Sequence, residues 1–414
     1  MTKPAKNWGL VLMLCATATA SYICRVNVST AGVLLMKEFS LSQIAMGRVF
    51  SAFLLGYALF QVPAGALADR WGAKRILTLA AWFWVSITII QTFIGIGPFR
   101  SGSAAAIIAL MISRFLLGIA ESPTFPGAAQ GVSKWVLPKY QGRANGIVIA
   151  AVGLGSAIAP VPVTYIMIQW GWRLALAISA IPALIIAVLW KFIKTPASED
   201  LRINNQENES IATEPAKSNL RSKSFYLLTF SYTLQGYVGY IFVSWFYLYL
   251  VQVRHFSLLS GAWMSSLPWV LSILSIPLGG YISDRLAAGK LGETPGRRLV
   301  PIVGMGMSGI LIAIGAHTSS AIMAAVSLAF ATALVLCVEG PFWATMMRIA
   351  GKNSGRAGGI MNMGSNLGGL LSPALTPLIA SYIGWENALH LAAFLAIIAA
   401  ISWLGIRVEA GSQM

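Results

Sequence analysis

With 414 residues, 57% of them hydrophobic and only 10% charged, and a mean hydropathy of +0.73, the chain falls far below the roughly 25% charge content of a soluble domain, so a water-soluble fold is excluded. Its apolar runs mostly reach about 20 residues, the length a helix needs to cross roughly 30 Å of hydrocarbon, and β-barrel alternation is absent. The net charge of +16 is compatible with nucleic acid only until its distribution is read, as below.

Twelve membrane spans are expected, near residues 9–36, 44–68, 76–97, 104–130, 144–168, 172–192, 225–252, 259–284, 299–316, 319–347, 356–383 and 387–406. The first follows Lys3 and Lys6 as a signal peptide would. No cleavage site follows, however, and the run continues through Arg25 to Met36, so it reads as an uncleaved helix. The fourth, "ISRFLLGIAESPTFP", sets Arg114 and Glu121 seven residues apart, two helical turns, hence on one face. Each such charge costs about 2.5–3.5 kcal/mol at a bilayer centre on insertion scales, which marks it as functional. Pro123 and Pro126 remove backbone donors just beyond and should kink this helix. The seventh span is rich in aromatics, with Tyr237 and Tyr240 about one turn apart and Gln235 nearby. Only "AHTSSA" separates the ninth span from the tenth. Between the sixth and seventh lies a polar, aromatic-free stretch, so the expected organisation is a helical bundle over 1–193, a linker over 194–223 and a second bundle over 224–414.

Charge sidedness then assigns topology. The N-terminus, the even-to-odd connections and the C-terminus hold 22 of the 29 Lys and Arg residues; the opposite loops hold five, and Arg25 and Arg114 lie within spans. That is the positive-inside pattern, so both termini are expected in the cytoplasm and the basicity needs no nucleic-acid partner. Cys15, Cys24 and Cys337 fall inside spans and are expected as free thiols. The three histidines, His255, His317 and His390, lie near span ends and far apart in sequence, without metal-ligand spacing. No nucleophile motif or phosphate-binding loop is present, so neither an enzyme, a cofactor nor a metal is expected.

The halves repeat. "GALADRWGAKR" (65–75) is echoed by "GGYISDR" (279–285), "GRANG" (142–146) by "GRAGG" (355–359), and Glu121 before "SPTFP" by Glu339 before "GPFW". The shifts that carry Asp69 to Asp284, Arg143 to Arg356 and Glu121 to Glu339 agree within a few positions, and the three matches fall in the same order at equivalent spans. A parallel six-helix repeat with its site at mid-membrane resembles the major facilitator superfamily. The resemblance implies an all-α integral membrane protein of twelve transmembrane helices in two pseudo-symmetric six-helix bundles. It also implies a cytoplasmic gating latch of Gly65, Asp69, Arg70, Gly72, Arg75, Arg143, Asp284 and Arg356, in which Gly65 permits close helix packing and Asp69 faces a helix N-terminus of the other half.

Two arginines against one carboxylate in the N-terminal spans leave a surplus positive charge. A structural strut between Arg25 and Glu121 stays open, but a strut would need one Arg per acid, and the surplus suits an anionic ligand held by a guanidinium fork. "YICRVNVS", "SRFLLGIAESPTFP" and "GGIMNMGSNLGGLLSP" resemble the anion:cation symporter family within that superfamily, whose relatives include bacterial sugar-acid carriers and the animal sialin and vesicular glutamate carriers. The resemblance implies that Arg25 and Arg114 hold a substrate carboxylate. Tyr22, Tyr57, Tyr240, Asn362 and Asn366 would line the site, with close helix packing an equal reading for the Gly-rich stretch around the asparagines. Glu121 would carry the coupling proton, with Glu339 as the second candidate. Low dielectric favours a protonated carboxyl and a neighbouring Arg an ionised one, so such a group exchanges a proton as its surroundings change. Several relatives place an Asp before the first-helix Arg; Cys24 stands there instead, which puts a second coupling proton in doubt.

The expected function is secondary active transport of an organic anion such as a hexonate, hexuronate or other sugar acid across the inner membrane, by proton symport. The expected partners are a small organic acid, protons and lipid, and the chain is expected to act as a monomer. The alternatives are an anion exchanger, a drug efflux pump of the same fold, and a transporter-like sensor. A cation exporter would want acids in its cavity, and a sensor would lack flux.

Overall fold

The computed structural model describes residues 8–96, 103–194 and 220–408. The expected linker lies outside the described residues between 195 and 219. All regular structure among the described residues is helical. In the N-terminal half the helices are α1 (Trp8–Glu38), α2 (Gln43–Trp71), α3 (Ala73–Gln91), α4 (Ser103–Glu121), α5 (Thr124–Trp135), α6 (Pro138–Ile158), α7 (Pro160–Ser179) and α8 (Ile181–Phe192). The C-terminal half contributes α9 (Lys223–Ser244), α10 (Phe246–Gln252), α11 (Leu258–Ala288), α12 (Glu293–His317), α13 (Ala321–Cys337), α14 (Glu339–Ala350) and α15 (Ser354–Ser402).

Helix ends do not mark span ends. Nine stretches are long and apolar enough to cross a membrane, ten when the α9–α10 pair, bent by 51°, counts as one broken span. Two of them, 143–192 and 356–405, run 50 residues. At 1.5 Å per residue each would be about 75 Å long, more than twice the hydrocarbon thickness. Each turns back at a glycine in the left-handed region, Gly171 (φ 85°) and Gly384 (φ 86°). Only a residue without Cβ adopts that conformation freely, so these glycines divide the long stretches and give twelve crossings among the described residues. The two glycines are related by the same shift that carries Arg143 to Arg356, so they are equivalent points of the repeat. The "AHTSSA" join is a genuine break as well: α12 ends at His317, and the Ser320 hydroxyl accepts from Met323 N to cap α13.

Contacts group the chain into two compact units: Met1–Leu41 with Ala52–Thr213, and Ser42–Ser51 with Glu214–Met414. The first turns of α2 therefore belong with the second unit. There Gln43 donates to Gln252 Oε1 (3.0 Å) and accepts from Trp385 Nε1 (3.1 Å).

In the first unit, α1 is enclosed along most of its length, and its buried residues run from Leu10 to Leu35. α2 and α4 touch backbone to backbone, since a Cβ on Gly56 would strike the Phe115 carbonyl and one on Gly118 the Phe53 carbonyl. Small residues permit such approach where no hydrophobic force drives helices together. This crossing brings Phe53 and Tyr57 against the arginine-bearing stretch of α4. Gly65, expected at a close crossing, meets only Pro126 Cβ at an ordinary 3.7 Å. In the second unit, Gly236 faces the Ser365 carbonyl and Gly368 the Thr233 carbonyl, so α9 and α15 cross as tightly. The Gly-rich run around Asn362 and Asn366 therefore has a packing role.

Candidate functional site

Three charged side chains meet inside the first unit. Arg25 on α1 is 4% exposed and Glu121, the last residue of α4, is fully buried. The guanidinium engages one carboxylate oxygen twice, through Nε at 3.0 Å and Nη2 at 2.9 Å to Oε2. Its Nη1 donates to the Tyr22 hydroxyl at 3.0 Å. The guanidinium carbon lies 4.3, 4.7 and 4.9 Å from the ring centroids of Tyr22, Phe53 and Tyr57. Aromatic faces present their negative quadrupole to a cation and stabilise it more strongly where water is scarce.

Arg114, two turns before Glu121 on the same face of α4, does not turn to it. Its Nη2 donates to the Arg25 carbonyl at 3.0 Å and its Nη1 approaches the Cys24 carbonyl at 3.5 Å, while its guanidinium carbon sits 4.9 Å from the Phe53 ring. α1 is thus gripped from α4 by both ends of one helical face. Seven residues span about 10.5 Å of helix axis, and among the described residues no ion pair joins the two, so the shared face holds them in register with Arg114 turned to the α1 backbone. Glu121 Oε1 and Arg114 Nε are buried with no hydrogen-bond partner among the described residues. Such groups are uncommon in folded proteins and point to chemistry that completes them.

Phe53 is the member sequence reading missed. It lies beneath both guanidinium groups and stacks on Tyr57, at 6.1 Å and 17°. Its only signal was the four-residue spacing from Tyr57, which an apolar helix does not distinguish from ordinary packing. Around the cluster, Trp84 Nε1 donates to the Ala120 carbonyl (2.8 Å), and Asn27 donates to Ser179 Oγ (2.8 Å). Cys24 is buried, with its sulfur 3.8 Å from the Ser179 carbonyl. The position thus contributes no charge to the cluster.

The second unit holds the other group of expected site residues. Glu339, the first residue of α14, accepts from the Tyr232 hydroxyl at 2.8 Å and from Gln235 Nε2 at 2.9 Å. Gln235 also donates to the Val335 carbonyl (3.2 Å), and the Tyr232 ring packs on Phe342 and Trp343. Asn366 is buried and Asn362 half-buried, one turn apart on α15. Tyr240 is half-buried with its ring close to Gly369.

The signature-loop residues gather at helix ends. Asp69, Arg70 and Arg75 lie at the α2–α3 turn, about 18 Å along α2 from Tyr57 in the case of Asp69. Gly72 joins α2 to α3 with φ 81°, and Gln130 Oε1 accepts the otherwise unpaired Ala73 N–H at 2.7 Å. Arg143 lies over the Trp8 ring (5.7 Å), Asp284 pairs with Arg297 between α11 and α12, and Arg356 is exposed.

A bundle of apolar crossings that encloses two guanidinium groups and one carboxylate defines a polytopic membrane protein with charge buried inside it. The chain belongs to the major facilitator superfamily, whose family model matches residues 13–357 and 286–413, and it is a multi-pass membrane transporter. It is 30% identical to a probable sulfoacetate transporter of Cupriavidus necator, over 88% of this chain and 85% of that one. It is 29% identical to a probable galactarate/D-glucarate transporter of Escherichia coli, over 97% and 93%. With a hexuronate transporter of Bacillus subtilis the identity is 27%, over 95% and 93%. Among solved structures, a D-xylose–proton symporter superposes with TM-score 0.77 at 15% identity, covering 98% of both chains. A bacterial homologue of the human lysosomal transporter Spinster gives 0.77 at 17%, covering 98% and 97%. These last two likenesses speak for the fold.

Proposed function

We propose that this protein carries a small organic anion, a sugar acid in the first instance, across the cytoplasmic membrane together with a proton, with both termini in the cytoplasm. The observation that carries the reading is the buried trio. Two guanidinium groups accompany one carboxylate, which only Arg25 engages, so the cluster holds one net positive charge when Glu121 is ionised and two when it is protonated. A substrate carboxylate completes the charge balance, and the bare Glu121 Oε1 is where a proton can sit. Each ligand then favours the other, because protonating Glu121 frees Arg25 for the substrate. The names of the relatives, which cover hexuronate, galactarate or glucarate, and sulfoacetate, support the substrate class. Arg25 and Arg114 bind the acid, and Tyr22, Phe53 and Tyr57 form the wall against which the guanidinium groups rest. The excess of basic residues on one side supports the orientation.

The test is thermal stabilisation of the purified protein by a panel of carboxylates and of lipophilic cations at pH 5.5 and 7.5, since binding to the folded state alone raises Tm. Stabilisation by one family of acids, stronger at pH 5.5 and lost in a folded Arg114→Ala protein, is expected. Stabilisation by lipophilic cations alone would overturn the reading in favour of efflux.

A further inference from the structure

The histidines are scattered in sequence, yet two of the three converge in space. His317 is the last residue of α12, while Glu386 and His390 lie one turn apart on α15, just beyond the break at Gly384. His317 Nδ1 is 2.9 Å from Glu386 Oε1, His390 Nε2 is 3.6 Å from that same oxygen, and the three donor atoms all lie within 4.8 Å of one another. A Glu four residues before a His presents both side chains on one helical face. The positive φ of Gly384 turns the chain so that this face meets the end of α12.

We infer that His317, Glu386 and His390 form a binding site for a divalent transition-metal ion, Zn²⁺ by ligand chemistry. Two imidazoles and one carboxylate suit Zn²⁺ and its neighbours in the first row, whereas Ca²⁺ and Mg²⁺ demand more oxygen donors. Ligand atoms on a tetrahedral zinc at bond lengths of about 2.0–2.1 Å stand about 3.3 Å apart, so small side-chain rotations convert the present spacing into a three-ligand shell. The remaining position is open to water. The side chains of His317, Glu386 and His390 are 83%, 52% and 40% exposed, so an ion reaches them from solution.

One half of the site is also braced. Arg254 donates to the carbonyls of Gly315, Ala316 and Thr318 at 2.7–2.9 Å and to the Tyr249 hydroxyl at 2.7 Å. It fixes the last turn of α12, where His317 sits, and directs its own charge at backbone oxygens. A bound ion would tie the end of the ninth span to the start of the twelfth. The inference is independent of the transport reading, because it concerns a different cluster of residues.

Isothermal titration of the full-length, detergent-purified protein, stripped with a chelator and carrying no polyhistidine tag, with ZnCl₂ tests the inference, with Co²⁺ absorption reporting the ligand set. One ion per chain is expected, with affinity falling about tenfold or more in each of His317→Ala, Glu386→Ala and His390→Ala. His255→Ala, which alters the remaining histidine, should bind as the parent does. No saturable binding below 1 mM, or unchanged binding in the His317→Ala/His390→Ala double variant at unchanged Tm, would overturn it. In either case the side-chain cluster would be no more than a His–Glu clasp.

Discussion

Glu121 and Glu339 occupy the same bend of the repeat but not the same place in it. Glu121 closes α4, whereas Glu339 opens α14. The shift that carries Asp69 to Asp284 also carries Thr124, the start of α5, to Glu339, the start of α14, and Pro126 to Pro341. The second acid therefore stands about one turn further along than the first. A carboxylate at a helix C-terminus sits against the negative end of the helix dipole, and one at an N-terminus against the positive end. Their partners follow suit: Glu121 takes a guanidinium, while Glu339 takes a phenol and an amide. A pair of opposite charges can be opened by a ligand of either sign, whereas neutral donors offer a competing anion nothing to displace. At this bend one half of the repeat therefore pairs its acid with a charge and the other with neutral hydrogen-bond donors.

The largest expected effect breaks the charged side of this comparison. Arg25→Ala leaves Glu121 buried without its guanidinium, and such a loss costs about 3–5 kcal/mol. The apolar double variant Arg25→Leu/Glu121→Leu should regain much of that stability without regaining uptake. Recovered uptake in the double variant, assayed in membrane vesicles, would reduce the pair to a strut. Next in size is the pH dependence of anion binding. Affinity should rise as pH falls, because a protonated Glu121 leaves the cluster with one more net positive charge. In Glu121→Gln, calorimetric titration at several pH values should give a flat profile.

On the neutral side, Glu339→Gln keeps a hydrogen-bonding group of the same shape. At about 1 kcal/mol for a neutral hydrogen bond, substrate affinity should change by no more than about fivefold and keep its pH dependence. Loss of pH dependence would move the coupling proton to Glu339. The smallest effect belongs to Phe53→Leu. The ring supports the two buried guanidinium groups with and without substrate, so its removal should weaken substrate binding only about threefold, a fraction of a desolvated cation–π contact, and an unchanged Kd would make Phe53 ordinary packing.

The sequence made the trio legible because Arg25, Arg114 and Glu121 stand out against apolar neighbours. It did not show which arginine takes the acid. Seven-residue spacing fixes a face, but the partner of Glu121 came from α1 through a contact 96 residues away in sequence. Spans were readable from length and hydropathy. Their boundaries were readable too: the break expected between 383 and 387 falls at Gly384, and only the positive φ that makes the turn there is a detail composition does not reveal. Phe53 was invisible for the opposite reason: a phenylalanine in a membrane helix is unremarkable until a guanidinium lies on it. His317 and His390 stand on different helices with two whole spans between them, so no local spacing could join them.

The central claim, that Glu121 carries the proton while the arginines hold the anion, is tested most directly by transport of a labelled hexuronate and a labelled hexarate in proteoliposomes containing the Glu121→Gln protein. Exchange of labelled for unlabelled acid across the membrane requires only binding and alternation, whereas accumulation against a gradient requires a proton to be taken up and released. The account expects exchange to persist and pH-driven accumulation to disappear for whichever acid the parent transports. Accumulation in the variant that still follows the pH gradient would contradict it.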